Sequence, residues 1–313
     1  MSKKNSWIEL YRFIFLLSIL FLHFFSFFEI EPIPFRGAFF SVEFFFLVSG
    51  FFLGKSTEKA MKDKGFTDRL KCVPDYVIKR LKRLYPMYFA ALILALLIKK
   101  FTHSPDYTGF FNWIKEGWPE FLMLQWTPLS GNILIGILWF IPSIFFGGLV
   151  LTFLASFFGK NIEWFGFIVC PLIAFADYAF FFITIGKIDV IVSHYGIMRG
   201  IGSPAMGWFL YKISGVISKR IGDSSDKAIP VFALFAHLIM AGVLIYENFT
   251  HKGPHNMITI IILSIGLICL SLGNLPVKEK TEKIFMKLGS LTFVLYIFHM
   301  PFYEILNAIL SRL

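Results

Sequence analysis

The chain has 313 residues, 57% of them hydrophobic and only 16% charged, with a formal net charge of +10. A mean hydropathy of +0.70 lies far above that of an ordinary globular domain, and the apolar residues come in long blocks, so a soluble domain is excluded and an integral membrane protein is expected. Cys72, Cys170 and Cys269 are widely separated and give no disulfide or metal-ligand framework, and no metal site is expected.

Taken in chain order, nine apolar blocks read as spanning helices: 7–29, 38–54, 84–101, 132–157, 164–185, 197–213, 229–247, 257–273 and 288–311. The expected fold class is all-α, a polytopic transmembrane bundle of about nine or ten helices forming a single domain over 1–313. The first block is long enough to span and lacks a small-residue cleavage site, so no cleavable signal peptide is expected. Between blocks two and three, "KSTEKAMKDKGFTDRLKCVPDYVIKRLKRLYP" carries ten Lys or Arg against four acids, and the loops "YKISGVISKRIGDSSDK" and "KEKTEKIFMK" are also basic. If the blocks alternate, all three loops fall on one side together with the N-terminal "MSKK", and the positive-inside rule makes that side the cytoplasm. The net charge is then a matter of topology, and no nucleic-acid partner is needed. Lys99 and Lys100 oppose the rule from the outer end of block three and are expected to snorkel. The stretch 102–130, rich in Trp and Phe and broken by prolines, reads as interfacial rather than spanning.

Within this frame, ionisable residues inside the blocks are the candidates for function. In "SVEFFFLVSGFF" Glu43 sits about one and a half turns below the outer surface, and His23 reaches a similar depth on block one, joined to it by the short loop "EIEPIPFRGA". The two are expected to be neighbours, with the carboxylate orienting the imidazole as a general base, beside the alternative of a nucleophile that carries the acyl group. The plainer alternative is polar glue between two helices. At the cytoplasmic mouth of block three, "KRLKRLYPMY" places Arg80 and Arg83 one turn apart, and Arg12 lies eleven residues before His23. Guanidinium groups bind phosphates through bidentate, charge-assisted hydrogen bonds, so these arginines suit the phosphates of coenzyme A. Their plainer reading is topogenic charge against lipid phosphates. Gly50 and Gly54 form a G-x-x-x-G read as a close-packing face.

The segments "YRFIFLLSILFLHFF", "VEFFFLVSGFFLGKS", "IKRLKRLYPMYF", "LWFIPSIFFGGL" and "LTFVLYIFHMPFY" occur in the order found in the integral-membrane acyltransferase type 3 family, which the chain resembles over nearly its whole length. That resemblance implies transfer of an acyl group, usually acetyl from cytoplasmic acetyl-CoA as co-substrate, to a hydroxyl of a cell-surface glycan or its lipid-linked precursor. It makes His23 the essential histidine and Glu43 its acidic companion, with Arg12, Arg80 and Arg83 holding the donor. Trp139 and His299 match recurrent positions and become candidates for the acceptor pocket, beside ordinary packing and structural hydrogen bonding. No permanently bound cofactor is implied. The expected location is the cell (inner or plasma) membrane, with the N-terminus cytoplasmic. Relatives commonly have ten helices, one more than the blocks counted, so either the tenth is absent here or 102–130 holds it. Arg36 and Arg199 are read as headgroup anchors, and His103, His194, His237, His251 and His255 receive no role. The rival class is a transporter or flippase for a glycan or lipid carrier, which intramembrane charges serve equally well. The arginine cluster combined with an interior base favours the enzyme.

Overall fold

The computed structural model describes residues 5–102, 107–125, 134–188, 195–222, 225–249 and 256–311. His103, His194, His251 and His255 lie outside them. The described chain contains helices and no strand. The helices are α1 (Ser6–Phe27), α2 (Phe39–Met61), the short α3 (Phe66–Leu70), α4 (Cys72–Thr102) and α5 (Tyr107–Phe121). A 3₁₀ turn, Gly136–Trp139, leads into α6 (Phe140–Ser156). Next comes one rod in which α7 (Ile162–Trp164) and α8 (Cys170–Ala179) alternate with the π-helical segments Phe165–Val169 and Phe180–Ile185. The chain continues through α9 (Tyr195–Ile221), α10 (Ser225–Phe249), α11 (Asn256–Leu272) and α12 (Glu279–Leu310).

The described part of each of the nine apolar blocks falls mainly in one of these helices or in the rod, the fourth block entering through the 3₁₀ turn. Seven helices are long and apolar enough to cross a membrane. The remaining blocks are α11, which is apolar but 17 residues long, and α9, which has 27 residues and so reaches about 40 Å at 1.5 Å per residue. What distinguishes α9 is its position, because it packs against α2, α6, α8 and α11 and is buried by them. At 15 residues α5 is too short to span, and Phe111, Ile114 and Trp118 line its exposed face. It agrees with an interfacial placement, and no tenth spanning helix appears among the described residues.

Small residues set the centre of the bundle. A Cβ on Gly50 would stand 1.9 Å from the carbonyl oxygen of Pro204, one on Gly54 2.5 Å from the Trp208 ring, and one on Gly207 2.1 Å from the carbonyl oxygen of Leu47. The G-x-x-x-G is thus a packing face, as its spacing suggests, and it brings the backbones of α2 and α9 into direct contact. Gly147 and Gly200 do the same for α6 and α9.

The basic stretches gather at one end. Asn5 caps α1 by accepting from the Trp7 and Ile8 amides, and its Nδ2 donates to the carbonyl of Leu270 at the end of α11. Trp7 packs on Phe285 of α12, Arg69 donates to the last turn of α6 at Ser156, and Lys212 of α9 pairs with Glu58 of α2. The opposite end holds the α1–α2 connection, where the Gly37 amide donates to the carbonyl of Glu247 in α10.

Lys99 does not snorkel freely. It is buried, with its ammonium 4.3 Å from the centroid of Trp113 on α5, which covers it by a cation–π contact.

Candidate functional site

Three helices, α1, α4 and α12, meet at the basic end. On α1, Glu9 is buried against Gly289 of α12, where a Cβ would collide with its carboxylate at 2.2 Å. Glu9 accepts a hydrogen bond from Arg12 at 2.7 Å, one helical turn on. Arg83 of α4 lies within electrostatic reach of Arg80, Arg12 and Glu9, and the Arg80 guanidinium rests 5.4 Å from the Tyr76 centroid. The structure therefore brings together the three arginines singled out in the sequence, Arg12 and Arg80 half-buried and Arg83 exposed. Three guanidinium groups beside one carboxylate leave a positive site with donors to spare, suited to a phosphorylated ligand.

Eleven residues along α1, about 16 Å at helical rise, is His23. It does not meet Glu43. The neighbours α1 and α2 do pack together, through Phe15 on Phe44 and through the Ser18 hydroxyl 2.6 Å from that of Ser41. Yet His23 comes five residues after Ser18, so at about 100° per residue it is turned some 140° away from that seam. It faces α12 instead, where its Nδ1 lies 2.9 Å from Nε2 of His299. The two rings are parallel to within 1° and their centroids are 5.2 Å apart, which is edge-to-edge hydrogen-bonding geometry in one plane. Nδ1 of His299 sits 2.8 Å from the carbonyl oxygen of Tyr296. Tyr303 flanks the His299 ring and donates to the carbonyl of Leu20, tying α12 to α1 just before His23. His299, expected beside Trp139 in an acceptor pocket, is the hydrogen-bond partner of His23.

Glu43, two residues past Ser41, is turned about 200° from the α1 seam and points at α9. Its Oε1 accepts from Nη2 and Nε of Arg199 at 2.6 and 3.1 Å, and its Oε2 accepts from the Ser203 hydroxyl at 2.7 Å. Both members of the pair are completely buried. Arg199 is thus no headgroup anchor. Trp139 belongs to this pair rather than to His299, since the Arg199 guanidinium lies 5.0 Å from its centroid and 5.7 Å from that of Phe46. Asp177 of α8 is buried against Gly202 in the same region. The sequence carried a signal for the pairing: α2 and α9 both start at the end opposite the basic one, and Glu43 and Arg199 are each the fifth residue of their helix.

Other candidates fall elsewhere. Arg36 is exposed and paired with Glu31 at 2.8 Å. His237, given no role from sequence, accepts or donates at 2.8 Å to the Tyr11 hydroxyl and meets the Trp7 ring edge-on. The three cysteines are free and buried.

The model of a family described as an acyltransferase domain matches residues 5–313, essentially the whole chain. No curated protein and no solved structure matches.

Proposed function

Because the chain belongs to this acyltransferase family and is a multi-pass membrane protein, we propose that it moves an acetyl group from cytoplasmic acetyl-CoA to a hydroxyl of a cell-surface glycan or its lipid-linked precursor. The observation that carries this reading is the placing of two chemistries along α1: an arginine cluster at its basic end, Arg12 joined there by Arg80 and Arg83 of α4, and an imidazole about 16 Å further into the bundle. That separation suits an extended donor whose phosphates stay at one end while its thioester reaches the interior.

In this reading Arg12, Arg80 and Arg83 hold the phosphates, and the basic end faces the cytoplasm with the N-terminus. The acceptor hydroxyl gives its proton to His23 as its oxygen attacks the thioester carbonyl. The C–S bond breaks, and the proton passes from the imidazolium to the departing thiolate, leaving an ester and free coenzyme A. The membrane is the cell membrane, since both acetyl-CoA and a surface-bound glycan precursor are available there. Glu43 has no part in the proton transfer, because Arg199 and Ser203 occupy its carboxylate.

The test is binding of CoA to protein in lipid nanodiscs, followed by transfer from labelled acetyl-CoA in matched membranes. Arg80→Ala with Arg83→Ala should weaken binding about tenfold or more, most strongly at low salt, as charge-assisted hydrogen bonds are lost. Unchanged affinity in the folded double variant would remove the donor site from these arginines. A deletion strain whose surface glycan keeps all its O-acetyl groups would remove the acceptor.

A further inference from the structure

We propose that one face of α2, formed by Val42, Phe45, Ser49 and Phe52, lines the path of the donor's pantetheine arm between the arginine cluster and the imidazole pair. This rests on the reading of the arginines as the donor-phosphate site and adds to it the wall along which the thioester travels.

Of the seven spanning helices, α2 has the largest buried share. Between Phe39 and Gly54 every residue is buried except Val42, Phe45, Ser49 and Phe52, which are half-buried. Their spacing of three, four and three residues sets all four on one face, at about 100° per residue. The other faces are taken: Gly50 and Gly54 lie on α9, Ser41 and Phe44 on α1, and Phe46 on Phe140 of α6. The half-buried stripe therefore points between α1 and α6. What lies opposite is set by the packing of the neighbours. α1 packs on α2, α2 on α6, α6 on α4, α4 on α12 and α12 on α1, which closes a ring around the stripe. Buried side chains divide accordingly into two clusters, one holding Phe15, Phe44 and Leu47 of α1 and α2, the other Tyr88 and Ile297 of α4 and α12. The stripe faces the seam between these cores, inside the ring rather than on its lipid-facing outside.

Depth along the seam matches the ligand. α1 and α2 are antiparallel, with Phe15 opposite Phe44 and Ser18 opposite Ser41, so Leu47 is level with Arg12. Ser49 and Phe52 then lie toward the basic end, and Phe45 and Val42 lie between the levels of Arg12 and His23. The Phe45 ring is 6.3 Å from that of Phe140, Phe140 is 5.7 Å from Tyr296, and Tyr296 is 6.0 Å from His299. An unbroken aromatic wall thus leads from the stripe to the imidazole pair. Pantetheine is a chain of about a dozen bonds, the length of about four extended residues or roughly 14 Å, against the roughly 16 Å from Arg12 to His23 along α1. It is largely apolar with two amides and a hydroxyl. Three apolar side chains and the hydroxyl of Ser49 offer it a matching surface.

The test places single cysteines in the full chain, in inside-out membrane vesicles, and follows their reaction with a charged maleimide. The chain's own Cys72, Cys170 and Cys269 are buried and set the background. Val42→Cys, Phe45→Cys, Ser49→Cys and Phe52→Cys should react, and Leu47→Cys and Val48→Cys should not. Saturating CoA should slow the reaction of Val42→Cys and Phe45→Cys about tenfold or more, in proportion to its occupancy. Adenosine 3′,5′-bisphosphate, which carries phosphates without the arm, should compete with CoA yet leave those two cysteines reactive. A second measurement needs no substitution: a diazirine on the thiol of CoA should crosslink to the helices around Val42 and His23 in the unaltered chain. Crosslinks confined to the basic loops overturn the inference. So does CoA that binds while Val42→Cys and Phe45→Cys keep their full rate, or a stripe whose four cysteines stay as inert as Leu47→Cys. A chain that binds no CoA at all removes the donor reading and takes the path with it, whereas protection in a chain that transfers no acyl group keeps the path and removes only the catalytic reading.

Discussion

Two polar pairs cross the helix seams of this bundle, and they are built to opposite specifications. Glu43 and Arg199 join α2 to α9, are wholly buried, and are roofed by the rings of Trp139 and Phe46. His23 and His299 join α1 to α12, and His23 is only half-buried. In the sealed charge pair both carboxylate oxygens are taken up by Arg199 and Ser203. The imidazole pair, by contrast, has one member that is not sealed away. The lesson is that an ionisable residue at membrane depth marks either a clasp or a site, and that the partner and the exposure, rather than the residue type, say which.

Several substitutions would break or sharpen that contrast. The largest expected effect is on the clasp: Glu43→Ala strands a buried guanidinium and should cost about 3–5 kcal/mol, measured as thermal unfolding in detergent, with much of the loss recovered when Arg199→Leu is added. If Glu43→Ala folded as well as wild type and lost only turnover, the distinction between the two pairs would collapse. His23→Ala should do the reverse, lowering acetyl turnover at least 10²-fold while leaving the unfolding transition and CoA affinity nearly unchanged. A loss of CoA binding in that variant would move the donor site onto His23.

A smaller effect concerns the frame around the clasp. Glu120, at the end of α5, is pushed up to about 7 by burial, although it accepts from the amides of Leu134 and Ile135. Its folded value lies above the ordinary carboxylate range, so stability is highest while both states are protonated. As pH rises from about 4.5 to 7 the unfolded chain loses its proton first, and roughly 3 kcal/mol should be lost before the curve flattens. Glu120→Gln should remove that slope, and a slope that survived would place its origin elsewhere. Smallest of all is Arg36→Ala, which deletes an exposed ion pair and should change stability by less than about 1 kcal/mol.

The course of the chain through the membrane was readable because hydrophobic runs of spanning length carry their own signature, and the small-residue face of α2 was readable from G-x-x-x-G. What the sequence did not reveal was which faces meet. Linkage by a short loop made α1 and α2 neighbours, but helical phase turned His23 away from Glu43 toward a residue 276 positions distant. The arginine cluster was legible because its members mark helix ends, where depth alone nearly fixes position. Arg199 was misread for the same reason: its depth was correct, but its burial depends on α2, α6 and α8 closing around α9, and no local pattern states that.

The separation of Glu43 from Arg199 along the chain has a consequence in time. During synthesis α2 enters the bilayer 156 residues before Arg199 is made, which at ordinary translation rates is roughly 8–30 s. Throughout that interval Glu43 must be carried by the hydrophobicity of α2 alone, or be shielded by the insertion machinery, at a cost of a few kcal/mol. Arrival of α9 ends the exposure, and a nascent chain stalled before it presents a naked carboxylate to lipid, a mark by which an unfinished copy differs from a finished one.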